Sequence, residues 1–93
     1  MIATSSAAVR VSRVFSVVAK MLETRELLRE FMGEAPYREQ MTRVLAIVRA
    51  RMAQTGEDDI SASLALAKEA PHGSTVAQLF AVAPLEINNE VPA

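Results

Sequence analysis

The chain has few residues whose types and spacing indicate chemistry. His72 is its single histidine and lies between Pro71 and Gly73, a context typical of an exposed turn. Ser74 follows closely, but no Gly-x-Ser-x-Gly elbow surrounds it. Because nearness in sequence does not align a nucleophile with a base, a hydrolase centred on His72 and Ser74 is the weakest hypothesis. We predict no catalytic residue and no enzymatic activity.

Metal and cofactor sites are equally poorly supported. Glu57, Asp58 and Asp59 form a compact acidic group, yet they lack the alternating ligands, central glycine and distal glutamate of a calcium loop. Capping of a helix N-terminus explains them better. The chain has no cysteine, and its three glycines lie too far apart to build a phosphate-binding loop. We therefore predict no metal and no cofactor.

Arginines on the second predicted helix support one specific alternative. Arg38, Arg43, Arg49 and Arg51 outnumber Glu39 there, and such a helix would contact phosphates or a groove edge. No aromatic residues are interleaved for base stacking, and the isoelectric point is about 5.8. The alternative function is thus a DNA- or RNA-binding regulator, with Arg38, Arg43 and Arg49 as candidate contacts.

Size and composition favour one small helical domain. The chain has 93 residues, of which 51% are hydrophobic, 23% charged and 4% aromatic. Aliphatic side chains must therefore fill the core, which suits helix-on-helix packing. Folding alone would bury roughly 64% of the unfolded surface, so a lone monomer has a thin stability margin. Small domains without disulfides or metal are often stabilised by association with a second chain.

The net charge of −1 conceals a division along the chain. Residues 1–56 carry a net charge of +4, and residues 57–93 carry −5. A basic half can signal nucleic-acid or membrane binding. Because apolar residues are frequent between the basic ones, we favour docking of the acidic part on the basic part, within one chain or across a dimer.

The start of the chain has two interpretations. Its first 22 residues contain Arg10, Arg13 and Lys20 but no acid before Glu23, as in an organellar transit peptide. The apolar periodicity continues smoothly beyond them, however, which favours the start of helix 1. The cleanest apolar stretch there, residues 14–19, is too short to span a bilayer. We predict a cytoplasmic protein without membrane association.

Helix 1 is predicted from a cap at Ser5 or Ser6 to about Met32, where Gly33 supplies a left-handed residue. Its first part presents an apolar stripe about 120° wide, the width expected of a core-facing helix. At residues 23–26 the pattern shifts by roughly 90°, so the helix either bends or meets different partners along its two halves. We infer an interface with a second copy, whose candidate residues are Val11, Val14, Phe15, Val18, Met21, Leu22, Leu27 and Phe31.

Helix 2 is predicted over residues 36–54, beginning at Pro36, whose missing N–H is tolerated in a first turn. Its apolar residues follow helical spacing: Tyr37, Met41, Val44, Leu45, Val48 and Met52. The short connection predicts that helices 1 and 2 form a long antiparallel hairpin.

Two shorter helices complete an all-α fold. Helix 3 is predicted over residues 60–70 with Ile60, Leu64 and Ala67 on one face, and helix 4 runs from a cap at Ser74 or Thr75 to about Val82. Pro84 is expected to end helix 4, which leaves a single domain at residues 1–84 and an extended tail at 85–93. The predicted function is a non-enzymatic protein-interaction or regulatory module, homodimeric through helix 1.

Overall fold

The computed structural model describes the backbone of residues 5–89 and the side chains of residues 15–87. This part of the chain forms four helices and no strand: α1 (Ser5–Met32), α2 (Glu34–Thr55), α3 (Asp59–Glu69) and α4 (Thr75–Asn89). The prediction of an all-α fold with four helices is confirmed. The predicted cap at Ser5 or Ser6 and the side chains of Val11 and Val14 lie outside the described set.

Two glycines end the first two helices. Gly33 alone separates α1 from α2 and has φ of 91° and ψ of 152°, a conformation that side chains disfavour. Pro36 lies in the first turn of α2, which begins slightly earlier than predicted. Gly56 adopts the left-handed conformation, and its N–H donates to the Met52 carbonyl. The predicted antiparallel hairpin of helices 1 and 2 is not confirmed and stays a prediction. α1 packs more extensively on α4 than on its sequence neighbour α2.

The core is built around α4, which packs against each of the other three helices. Of the apolar positions predicted for α2, all are buried except Met52, which packs against the core from its edge. α1 contributes the buried residue Leu28, and α3 contributes Ala62. Within the described part of the chain, α1 and α3 do not contact each other. Both helices pack against α4 instead.

The expected end of α4 at Pro84 was wrong, since the helix continues to Asn89. Residues 85–89 are therefore helical rather than an extended tail, and the remainder of the predicted tail lies outside the described residues. A proline in a helix removes one hydrogen bond and costs about 3 kcal/mol. Leu85 and Ile87 offset this cost by packing against the core, and Glu86 adds an ion pair with Arg25. Tertiary packing thus overrides the local helix-breaking signal.

The acidic part of the chain docks on the basic part within one chain. Arg25 of α1 pairs with Glu86 of α4, at 3.1 Å between Nη1 and Oε1. Arg51 of α2 pairs with both Glu57 and Glu69. These pairs agree with the docking that the charge division predicts.

Candidate interaction surface

Residues 15–22 of α1, where its described side chains begin, form a largely uncovered apolar surface. Every side chain from residue 15 to residue 20 is exposed, and Phe15 is 71% exposed. Leu22 is also exposed, and Met21 is half-buried. The described members of the predicted stripe, Phe15, Val18, Met21 and Leu22, are therefore not part of the chain's own buried core.

The C-terminal half of α1 divides its apolar residues between core and solvent. Leu28 is 3% exposed, whereas the adjacent Leu27 is 59% exposed. Phe31 is exposed as well, and Met32 packs against the core. α1 passes through residues 23–26 without interruption, so its two halves have different surroundings along one continuous helix. The described residues of the predicted surface, all exposed or half-buried, are Phe15, Val18, Met21, Leu22, Leu27 and Phe31.

An open apolar groove of about 580 Å³ lies between residues 16–24 of α1 and the α3–α4 pair. Val17, Val18 and Met21 line it from α1, and Ile60 and Leu64 line it from α3. Its floor is formed by Ala81, Val82 and Pro84 of α4. We call this feature the α1–α3 groove.

Sequence reasoning missed the part of α3 in this groove. Ile60 and Leu64 were expected on the apolar face of helix 3, yet both are exposed, and α3 packs inward through the small residues Ala62 and Ser63. Because those small side chains allow close approach to α4, Ile60 and Leu64 remain outside, whereas Leu66 packs against the core. The signal was present in the sequence, since α3 carries apolar residues around most of its circumference.

Three charged side chains along α1 have no ion pair within the described part of the chain. Lys20 is exposed beside the groove, and Glu23 and Glu30 lie further along the same helix. None of the three has an ion-pair partner among the described residues. Arg29, in contrast, pairs with Glu34 at 2.9 Å, which holds the pKa of that carboxyl below its usual range.

The buried side contains polar atoms without hydrogen-bond partners. Within the described residues these are Arg25 Nε, the Tyr37 hydroxyl and Ser63 Oγ. Burial, together with the nearby Glu86 carboxylate, raises the pKa of Tyr37 to about 12. The phenol is therefore neutral at ordinary pH and belongs to the core rather than to a reactive site.

The three α2 arginines considered for nucleic-acid contact are exposed, and two of them are paired with carboxylates. Arg38 donates to Glu34 at 3.1 Å, and Arg43 pairs with Glu39 at 3.5 Å. Arg49 is exposed on the same helix. Neighbouring carboxylates offset the positive potential that would attract phosphates. Binding of nucleic acid stays a prediction, which a low-salt mobility shift lost in the Arg38→Ala/Arg49→Ala variant would support.

The residues considered for catalysis and metal binding serve helix ends instead. Asp58 caps α3 by accepting the Ser61 N–H at 2.7 Å, and this bond lowers the pKa of its carboxyl. Ser74 caps α4 by accepting the Ala77 N–H at 3.1 Å. His72 is exposed in the turn between α3 and α4, as predicted. Among the residues with described side chains, no acidic, histidine or cysteine cluster is arranged to hold a metal ion.

Comparison of the chain with known proteins indicates no function. No protein-family model, curated protein or solved structure matches it. None of the helices in the described residues combines the length and apolar character needed to cross a membrane.

Proposed function

We propose that this chain is a non-enzymatic helical protein-interaction or regulatory module that forms a homodimer through α1. The observation that carries the proposal is the exposed apolar surface on residues 15–22 of α1. Phe15, Val18 and Leu22 lie on one side of the helix and are all exposed. A contiguous apolar patch rimmed by charged residues is typical of a protein-binding surface.

Sedimentation of two matched variants tests the proposal. At micromolar concentration the unaltered chain should sediment as a dimer, and Val18→Asp should sediment as a monomer because the charge would be buried without a partner. Ile47→Asp is the control, since Ile47 is a β-branched residue of similar exposure on α2. Ile47→Asp should remain dimeric.

The same experiment can contradict the proposal. Circular dichroism should show equal helix content in all three proteins, because Val18 and Ile47 both lie on exposed helix faces. A purely 10.1 kDa species for the unaltered chain would exclude the homodimer. Equal dissociation by Val18→Asp and Ile47→Asp would exclude α1 as its specific interface.

A further inference from the structure

We infer that the α1–α3 groove is the binding site for residues 15–22 of α1 from a second copy of this chain. The inference rests on the proposed homodimer and names the contacts that build it. In each copy, the stripe of Phe15, Val18 and Leu22 enters the groove of the other copy and packs against Ile60 and Leu64. The groove is incomplete without the partner, which supplies the missing apolar layer.

Each chain carries both halves of this contact. The groove offers an apolar wall on α3 and an apolar floor on α4. Val18 of the exposed stripe lies on its α1 side, whereas Phe15 and Leu22 lie outside it. A two-fold axis would place the stripe of each copy in the groove of the other, which gives a closed dimer with both features covered.

A second copy explains more of the surface than a small ligand does. A volume of about 580 Å³ is within the range of ligand pockets. A small ligand would nevertheless leave Phe15 and Leu22 exposed, whereas a helix from a second copy covers both. The groove has only three polar lining residues, and all come from α1: Ser16, Lys20 and Thr24. Few polar groups therefore converge from different sides to orient a small molecule.

Charge along α1 sets the orientation of the two copies. By sequence, its basic residues before residue 23 are Arg10, Arg13 and Lys20, with no acid among them. Beyond that point, Arg25, Glu26 and Arg29 are paired within the chain, whereas the described residues provide no ion-pair partner for Glu23 and Glu30. An antiparallel arrangement places the basic residues of each α1 beside these two unpaired carboxylates of the other. A parallel arrangement would place like charges together, so we assign the antiparallel one.

Disulfide trapping between single-cysteine variants tests this arrangement, and the natural absence of cysteine makes the background clean. Phe15→Cys and Leu64→Cys are prepared as separate proteins with tags of different mass, then mixed and oxidised. A disulfide requires the two Cα atoms to lie within about 7 Å, so the mixed species should form only if Phe15 enters the partner's groove.

The matched control replaces Leu64→Cys with Ile47→Cys, because Leu64 is 49% exposed and Ile47 is 48% exposed. The Phe15/Leu64 species should form about tenfold faster than the Phe15/Ile47 species, since the dimer raises the effective thiol concentration only in the groove. Circular dichroism of each variant establishes that it is folded.

The outcomes separate this inference from the proposed function. A dimer in sedimentation without preferential Phe15/Leu64 cross-linking overturns the groove contact but leaves the homodimer standing. A monomer in sedimentation overturns both. A monomer that retains an apolar small molecule in native mass spectrometry also overturns the groove contact and assigns the groove to a ligand.

Discussion

Arg25 Nη1 lies 3.1 Å from Glu86 Oε1, which ties the middle of α1 to the part of α4 beyond Pro84. The two residues are 61 positions apart in sequence, and both side chains are largely shielded from solvent. A shielded pair is worth more than an exposed one because water screens it less. This ion pair therefore helps to hold α4 helical past its proline.

Glu86→Gln should lower the free energy of unfolding by about 2 kcal/mol, because it leaves the shielded Arg25 guanidinium without its countercharge. Glu39→Gln is the control, since the Arg43–Glu39 pair is exposed on both sides and should contribute about 0.5 kcal/mol or less. Urea unfolding followed by circular dichroism measures both. Equal losses in the two variants would contradict a special role for Arg25 and Glu86.

Leu28→Ala should destabilise the chain by about 3 kcal/mol, because Leu28 is buried in the core and its truncation leaves a cavity. Its neighbour Leu27 provides the matched control: Leu27→Ala should change the free energy of unfolding by less than about 0.5 kcal/mol in the monomer. Thermal unfolding at low protein concentration measures the difference. A reversed order would mean that α1 is rotated about its axis relative to the described structure.

Tyr37→Phe should leave the chain at least as stable at pH 7, because the buried hydroxyl has no hydrogen-bond partner to lose. The pKa of Tyr37 rises from 10.0 to about 12 on folding. The folded chain therefore holds its proton more tightly, and this contribution to stability is lost as pH rises from 10 towards 12. Tyr37→Phe should remove that part of the alkaline destabilisation.

Tyr37 is the only tyrosine and the chain has no tryptophan, so absorbance at alkaline pH follows this one phenol directly. The folded chain should titrate well above the unfolded chain in denaturant. Coincident titration curves would show that the hydroxyl is accessible to water.

Acid should destabilise the chain through carboxylates whose pKa is lowered on folding. A hydrogen bond from Arg51 lowers the pKa of Glu57, and one from the Ser61 N–H lowers that of Asp58. Their contribution is complete above the unfolded values of 4.5 and 3.8, and it is lost as pH falls below them. Asp58→Asn should preserve the cap at pH 7 but flatten the decline in melting temperature below pH 4. An unchanged decline in that variant would contradict the assignment.

The sequence predicted a helix correctly where its local start and stop signals agree with the packing of that helix in the fold. In α2, the glycines at both ends, the proline in the first turn and the regular apolar stripe all indicate the same helix. The residues of that stripe lie in or against the core. In α4, Pro84 indicated an end that the packing of Leu85 and Ile87 overrides. Such packing depends on distant helices and has no signature in the local sequence.

The candidate surface was predicted only in part. The exposed residues of α1 follow from its periodicity, because one neighbour cannot cover apolar residues on several sides. The opposite wall of the groove does not follow, since the orientation of Ile60 and Leu64 depends on α3 packing through Ala62 and Ser63. Periodicity places a residue on a helix but does not reveal which side the rest of the fold covers.

The ion pair between Arg25 and Glu86 sets the leverage of the part of α1 that precedes it. Phe15 lies 10 residues before Arg25, which is about 15 Å along a helix that rises 1.5 Å per residue. A tilt of about 10° at Arg25 would move Phe15 sideways by about 2.6 Å and so change the gap between α1 and α3. The width of that gap therefore depends on a pair of charges that lies some three turns of helix away from Phe15.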